Sequence, residues 1–139
     1  MAYRGQPIPS TVIDISQVKI SDGKSVNVTV PAGEGIEAGT FAIVDNFFGL
    51  CIQSVNKDEN VDGTIIALQI EQAEYITDQI DTAKTFSKGS LLYFDPNKKI
   101  FIDTTVTGAI LVGRITEAKD SGNIIQFILY PQNVVPATK

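Results

Sequence analysis

The sequence predicts an all-β domain, either a small β-barrel or a β-sandwich of seven or eight short antiparallel strands. Polar and apolar residues alternate with a period close to two over most of the 139 residues, which is typical of strands with one buried face. Turn-forming residues (Gly, Pro, Asn and Asp) interrupt these runs at short intervals. Hydrophobic residues make up 43% of the chain, which is enough for the core of a single domain.

Eight runs are predicted as strands. The first, residues 25–30, alternates polar and β-branched side chains and ends at Pro31. The others cover residues 40–44, 47–55, 64–75, 90–94, 100–105, 109–117 and 124–130. The third strand has two apolar faces, with Phe48, Leu50 and Ile52 on one and Phe47, Cys51 and Val55 on the other. Cys51 is therefore interpreted as a small core residue.

One segment departs from the β pattern. Ile76 and Ile80 lie four residues apart, and Thr77 stands where a hydroxyl can cap a helix. These features predict one turn of helix within residues 76–85.

The ends of the chain differ from its middle. Residues 1–10 contain two prolines and few apolar side chains, and we predict an extended N-terminal arm there. Residues 11–131 are predicted to form the single β domain, and residues 132–139 a C-terminal tail. Such arms are usually frayed termini, but in assembly proteins they also lie across neighbouring subunits. Both interpretations stay open from sequence alone.

Composition excludes several classes of function. The formal charge of −5 argues against a nucleic-acid partner, because affinity for phosphates depends on Lys and Arg. The absence of histidine excludes imidazole-based zinc sites and Ser-His-Asp triads. A single cysteine gives no intramolecular disulfide, and no secretory signal or membrane-spanning run is found. We therefore expect a soluble protein made in the cytosol, without a membrane partner.

Two glycine-containing segments resemble phosphate-binding loops but lack their context. Gly23-Lys24-Ser25 has Val18 where the full motif needs a glycine, and a strand pattern follows it instead of a helix. Residues 33–39 also lead into a strand, and two glutamates in them would repel a pyrophosphate. Both segments are interpreted as turns.

The segment from Asp58 to Gly63 matches the first half of an EF-hand calcium loop. Position twelve of that loop would be Gln69, which cannot supply a bidentate carboxylate, and no helix flanks the segment. We interpret it as an acidic turn, and no metal or cofactor is predicted. The carboxylate pairs Glu71/Glu74 and Asp78/Asp81 lie among polar residues, and no catalytic residue is predicted.

Read in order, the middle of the chain resembles the capsid decoration, or cement, proteins of tailed bacteriophages. The most specific part is Lys88-Gly89, followed by Tyr93 and Asp95. The other matching segments are residues 30–33, 48–52, 58–71, 98–101, 107–114 and 121–122, and the resemblance spans roughly residues 28–131. Asp45-Asn46 departs from it, since many relatives have a glycine turn there, and residues 74–85 are more polar than usual.

The resemblance implies a β-barrel-like or sandwich domain that binds the outside of an assembled phage head. It implies the major capsid protein as partner, a homotrimer at threefold and quasi-threefold positions, and stabilisation of the lattice against packaged DNA. The alternatives are another β-rich virion or surface binding module, such as a tail component or carbohydrate binder, and a carboxylate hydrolase. The absence of tryptophan disfavours a carbohydrate binder. A hydrolase would need two acids about 5–9 Å apart in one cleft.

Interface residues are predicted at two places. On the arm, Tyr3, Arg4 and Ile8 are expected to contact a neighbour, because aromatic and Arg side chains dominate protein interfaces. Phe47 stands beside a turn and is a candidate for trimer packing, with burial in the core as the alternative.

Overall fold

Residues 18–132 are described by a computed structural model, and their regular secondary structure is entirely β. The strands are β1 (Ser25–Val30), β2 (Phe41–Val44), β3 (Phe47–Cys51), β4 (Thr64–Gln69), β5 (Glu74–Thr77), β6 (Leu91–Asp95), β7 (Ile100–Ile102), β8 (Ile110–Glu117) and β9 (Ile125–Leu129). They form two antiparallel sheets, so the predicted fold class is confirmed, with nine strands rather than seven or eight.

The four-stranded sheet has the order β1-β4-β3-β2, and it curves so that its two edge strands approach each other near Thr29 and Asp45 without pairing. Asp45 and Asn46 join β2 to β3 in a two-residue turn with φ of 51° and 66°. Positive φ at both positions is typical of a type I′ turn, whose twist matches that of paired strands. The Asp45 carboxylate accepts a hydrogen bond of 2.7 Å from the Thr29 backbone N–H, which fastens this hairpin to β1.

The five-stranded sheet has the order β5-β9-β8-β6-β7. Its central strand β8 is irregular: the register shifts opposite Leu92–Tyr93 and again between Ile115 and Glu117. Bulges of this kind add local twist and turn side chains toward the other face. They let the sheet wrap around the core while it keeps pairing on both sides of β8.

Two cores share the β2–β3 hairpin. The aromatic core lies between this hairpin and the five-stranded sheet, and its members include Phe41, Phe48, Phe94, Phe101 and Phe127. The aliphatic core lies inside the curved sheet and consists of Val28, Val30, Val44, Cys51, Val55, Ile66 and Leu68. The hairpin is therefore apolar on both faces because each face packs on a different core.

The two faces predicted for the third strand are largely confirmed. Phe48 and Leu50 contact the aromatic core, and Cys51 and Val55 belong to the aliphatic core. Ile52 is the exception, with 53% of its surface exposed. The strand ends at Cys51, and the chain then bends so that Val55 pairs with Ile36 in an isolated bridge.

Two other predictions are corrected. The predicted strand over residues 64–75 is two strands, β4 and β5, which belong to different sheets. The predicted helix within residues 76–85 is wrong: Ile76 lies in β5, and Ile80 forms an isolated bridge with Phe101. The Thr77 hydroxyl accepts a hydrogen bond from the Gln79 N–H, so it caps a local turn instead. Pairing of β5 with β9 outweighs the weak helical spacing.

Candidate interaction surfaces

The first candidate surface is built around the free edge of β2. Phe41 lies in this strand, and its N–H donates a hydrogen bond of 2.8 Å to the Oε1 atom of Gln79. The Nε2 atom of Gln79 donates in turn to the carbonyl oxygens of Phe41 and Lys99, each at 2.9 Å. The Gln79 amide therefore takes the place of a neighbouring strand for one residue of β2.

Two residues further along β2, the backbone of Ile43 has no such partner among the described residues. Val44 and Phe47 flank the two-residue turn and form a hydrogen-bonded pair. Hydrogen-bonded and non-hydrogen-bonded pairs alternate along an antiparallel ladder, so the backbone groups of Ala42 also point toward β3. By the same alternation, the N–H and C=O of Ile43 point away from β3, as those of Phe41 do. An unpaired edge of this kind is a template for strand addition.

A groove with a volume of about 600 Å³ runs along this edge. One wall is the loop that follows β1, with Pro31, Glu34 and Glu37, and the other includes Phe94, Pro96 and Lys99. Ile43 and Asp45 also line it. Three acidic residues line the groove against one lysine, so its potential favours a positively charged occupant.

The second candidate surface is the outer face of the five-stranded sheet. Glu74, Ile128, Arg114 and Leu91 lie side by side across four adjacent strands. Ile76, Ile128 and Leu91 are 64%, 38% and 36% exposed, which is unusual for aliphatic side chains on a sheet. Arg114 is exposed and has no ion pair within residues 18–132. An apolar strip with a central arginine is typical of a protein-binding surface.

The predicted interface residues fall in two groups. Tyr3, Arg4 and Ile8 lie outside the described residues. Phe47 is half-buried and packs against the aliphatic core, so it contributes to folding whatever it contacts outside. Sequence reasoning missed Ile43, Gln79 and Arg114. Simple alternation in β8 would put Arg114 on the same face as the core residues Ile110 and Val112, and the register shift opposite Leu92–Tyr93 turns it outward instead.

The acidic turn is organised by a buried asparagine. Asn60 is 3% exposed, and its Nδ2 atom donates to the carbonyl oxygens of Pro31 (2.7 Å) and Glu34 (3.0 Å). Its Oδ1 atom accepts a hydrogen bond of 2.8 Å from the Thr64 hydroxyl. The side chain that an EF-hand would use as a ligand thus holds two loops together. The described residues contain no cluster of three or more His, Cys, Asp or Glu side chains fit for a metal.

Three of the residues considered for chemistry, Cys51, Glu74 and Gly23, have structural roles. Cys51 is fully buried, and this burial raises the pKa of its thiol to about 11, despite a hydrogen bond with Thr40 that lowers it. Glu74 accepts a hydrogen bond of 2.6 Å from the Thr116 hydroxyl. Gly23, in the segment that resembles a phosphate loop, leads into β1 rather than into a helix.

Comparison with known proteins agrees with this architecture. A family model described as phage cement protein matches residues 20–129, a span that includes all nine strands. The chain therefore belongs to the phage cement protein family, a class of structural proteins associated with the phage capsid. A search of curated proteins found no match. Within residues 18–132, no helix is long and apolar enough to cross a membrane.

Proposed function

We propose that this protein decorates the outer surface of a tailed-phage head and stabilises the capsid lattice against the pressure of packaged DNA. The observation that carries the proposal is the family match over the entire folded domain, residues 20–129. Its partner is the major capsid protein, and it acts as a homotrimer at threefold and quasi-threefold positions.

The structure is suited to this role because its binding surfaces stand on a rigid framework. The phenyl rings of Phe48 and Phe94 are 4.8 Å apart, and those of Phe101 and Phe127 are 5.0 Å apart. Close-packed aromatic cores of this kind resist deformation. A decoration protein must hold adjacent capsid subunits at a fixed spacing, and a rigid domain transmits that constraint directly.

Two surfaces are available for neighbours. The outer sheet face offers Ile76, Ile128, Leu91 and Arg114, and the groove offers the edge of β2. A modest contact repeated at many lattice positions gains strength whenever one molecule touches two subunits. The acidic character of the chain also keeps it from binding DNA during assembly.

The predicted interface residues enter this proposal in defined roles. Tyr3, Arg4 and Ile8 contact a neighbouring subunit, and Phe47 supports the hairpin from the inside while its exposed part contributes to trimer packing. No catalytic step is assigned to any of them.

The test is a binding assay with phage heads assembled without their decoration protein. The purified chain is added, unbound protein is removed by sedimentation, and the copies per head are counted by quantitative gel analysis. We expect saturable binding at a fixed number per head and a higher temperature of DNA release from decorated heads. Absence of binding to both unexpanded and expanded heads would contradict the proposal and favour a tail component or another surface module.

A further inference from the structure

The groove beside β2 has the geometry of a site for one extended peptide segment. Gln79 already shows how the site binds, since its amide gives and receives one hydrogen bond at the backbone of Phe41. The next outward-pointing residue, Ile43, presents the same pair of groups with no partner among residues 18–132. A peptide residue placed there would repeat the Gln79 interaction with its own N–H and C=O.

The groove also specifies the side chains of its occupant. Its lining includes the apolar residues Pro31, Ile43 and Pro96, none of them fully buried, which suits an aliphatic or aromatic side chain. Its rim carries Glu34 and Glu37, both exposed and without an ion pair among the described residues. The occupant therefore combines an extended backbone, an apolar side chain and a positive charge.

We infer that this groove receives the N-terminal segment, residues 1–9, of a neighbouring copy of the same chain. This inference rests on the proposed trimeric decoration function and names the contact that joins its subunits. Arg4 is the sole charged side chain among residues 1–13, and Tyr3 and Ile8 supply the apolar groups. Pro7 and Pro9 favour an extended backbone around Ile8.

The length of the segment permits this contact. Seventeen residues precede Val18, and a fully extended chain of that length spans at most roughly 56–61 Å. The groove begins where β1 ends, at Val30 and Pro31, and the six residues of β1 span about 20 Å. The segment can therefore extend well beyond one strand of its own domain, as a contact with a neighbour requires.

The symmetry of such a contact agrees with a trimer. The segment and the groove are different surfaces, so joining one to the other is a heterologous, head-to-tail contact. Two copies that exchange segments reciprocally would form a twofold dimer, whereas copies that each pass the segment to the next copy form a ring or an open chain. They close into a ring when the rotation between copies permits it, and three copies close on a threefold axis.

The experiment uses the full chain with two added cysteines, Gln6→Cys on the segment and Pro31→Cys on the exposed wall of the groove. A short bismaleimide crosslinks neighbouring thiols, and the native Cys51 is buried and does not compete. The reaction is run on concentrated free protein and on protein bound to heads. The matched control pairs Gln6→Cys with Ser121→Cys, an exposed position that does not line the groove.

We expect covalent dimers and trimers, no larger species, and a severalfold lower yield in the Ser121→Cys control. Adding Arg4→Glu to the crosslinking pair should also lower the yield severalfold, and adding Glu34→Arg and Glu37→Arg as well should restore much of it. Links found only within single chains would overturn the inference and assign the groove to the chain's own segment. Crosslinked species larger than trimers would overturn ring closure. If no crosslink forms in free protein or in protein bound to heads, the groove is not occupied by this segment.

The two proposals fail in different ways. If the chain does not bind heads, the decoration function fails, while trimers crosslinked in free protein still support the contact. If heads are decorated but the crosslinked ladder is absent, the function stands and this contact is wrong.

Discussion

Gln132 makes two hydrogen bonds to the backbone of Phe48, 84 positions earlier in the chain. Its Oε1 atom accepts from the Phe48 N–H at 3.0 Å, and its Nε2 atom donates to the Phe48 carbonyl at 2.8 Å. Gln79 binds Phe41 in the same way on the neighbouring strand. Two glutamines thus bind the backbone of the β2–β3 hairpin on its two sides, at positions where neither sheet supplies a strand.

Replacing Gln79 should lower the free energy of unfolding. Gln79→Ala removes three hydrogen bonds and leaves the backbone groups of Phe41 without partners beside the aromatic core. We expect a loss of about 2 kcal/mol in chemical denaturation, because buried backbone groups without partners are costly. Gln53→Ala, an exposed position in the loop after β3, is the matched control and should change stability little. Equal stabilities for the two variants would show that the Gln79 amide is dispensable.

Asn60 should be more sensitive to substitution than the acidic residues around it. Asn60→Asp replaces an amide donor by a carboxylate that faces the carbonyl oxygens of Pro31 and Glu34. We expect a loss of about 3 kcal/mol or more, since a buried charge would meet like partial charges. Asp58→Asn, at an exposed position in the same turn, should have little effect on the melting temperature. A larger effect at Asp58 than at Asn60 would contradict the structural role of the asparagine.

The Cys51 thiol should be unreactive in the folded protein and should make stability depend on pH in the alkaline range. Its folded pKa of about 11 lies above the ordinary value near 9, because the folded state keeps the thiol out of water. The stabilising contribution is therefore present below pH 9 and is lost as the pH rises toward 11. Cys51→Ala should show a shallower loss of stability over this range. Burial raises the pKa of Tyr75 as well, and that contribution is common to both proteins.

Chemical labelling of the Cys51 thiol is a direct check on its burial. Iodoacetamide should modify Cys51 rapidly in denaturant and very slowly in its absence at neutral pH. Fast modification under native conditions would mean that the aliphatic core opens readily.

Gly113 should tolerate no side chain. It lies buried in β8 next to the bulge, and a Cβ atom there would overlap the backbone carbonyl oxygen of Ile128 in β9. Because that oxygen belongs to a paired strand, Gly113→Ala should separate β8 from β9 and destabilise the domain by several kcal/mol. Gly122→Ala is the control, since a Cβ there meets its nearest atoms at 3.4 and 3.8 Å. A Gly113→Ala protein with unchanged thermal stability would contradict the register given for β8.

Local pattern was enough to predict most strands but not their partners. The alternation of residues 25–30 and the break between the predicted strands at residues 40–44 and 47–55 appear in the structure. Residues 64–75 form one alternating run in the sequence, yet the chain passes from one sheet to the other within it. Periodicity records which side chains are buried, and it carries no information on which sheet buries them.

The candidate surfaces were harder to predict than the fold for a related reason. Gln79 and Gln132 lie in polar segments, and nothing in their neighbourhood distinguishes a backbone-binding amide from a solvated one. The unpaired edge at Ile43 depends on where β2 lies in its sheet, which is a property of the whole topology. Exposed aliphatic side chains such as Ile76 form one apolar strip only because β5, β9, β8 and β6 are neighbours in the sheet.

Removal of residues 1–9 should separate folding from assembly. The described domain begins at Val18, and the aromatic and aliphatic cores of the described residues lie among its strands. The truncated protein should therefore keep the circular dichroism spectrum and melting temperature of the full chain. Its occupancy on heads should fall severalfold, because the contacts proposed for Tyr3, Arg4 and Ile8 are lost, and a full-length Arg4→Glu variant should reproduce part of that loss. Occupancy is measured by sedimentation at equal protein concentration, with Lys139→Glu, a charge reversal at the other end of the chain, as control. Unchanged occupancy of the truncated protein would remove the N-terminal segment from the interface and leave the outer sheet face as the candidate capsid contact.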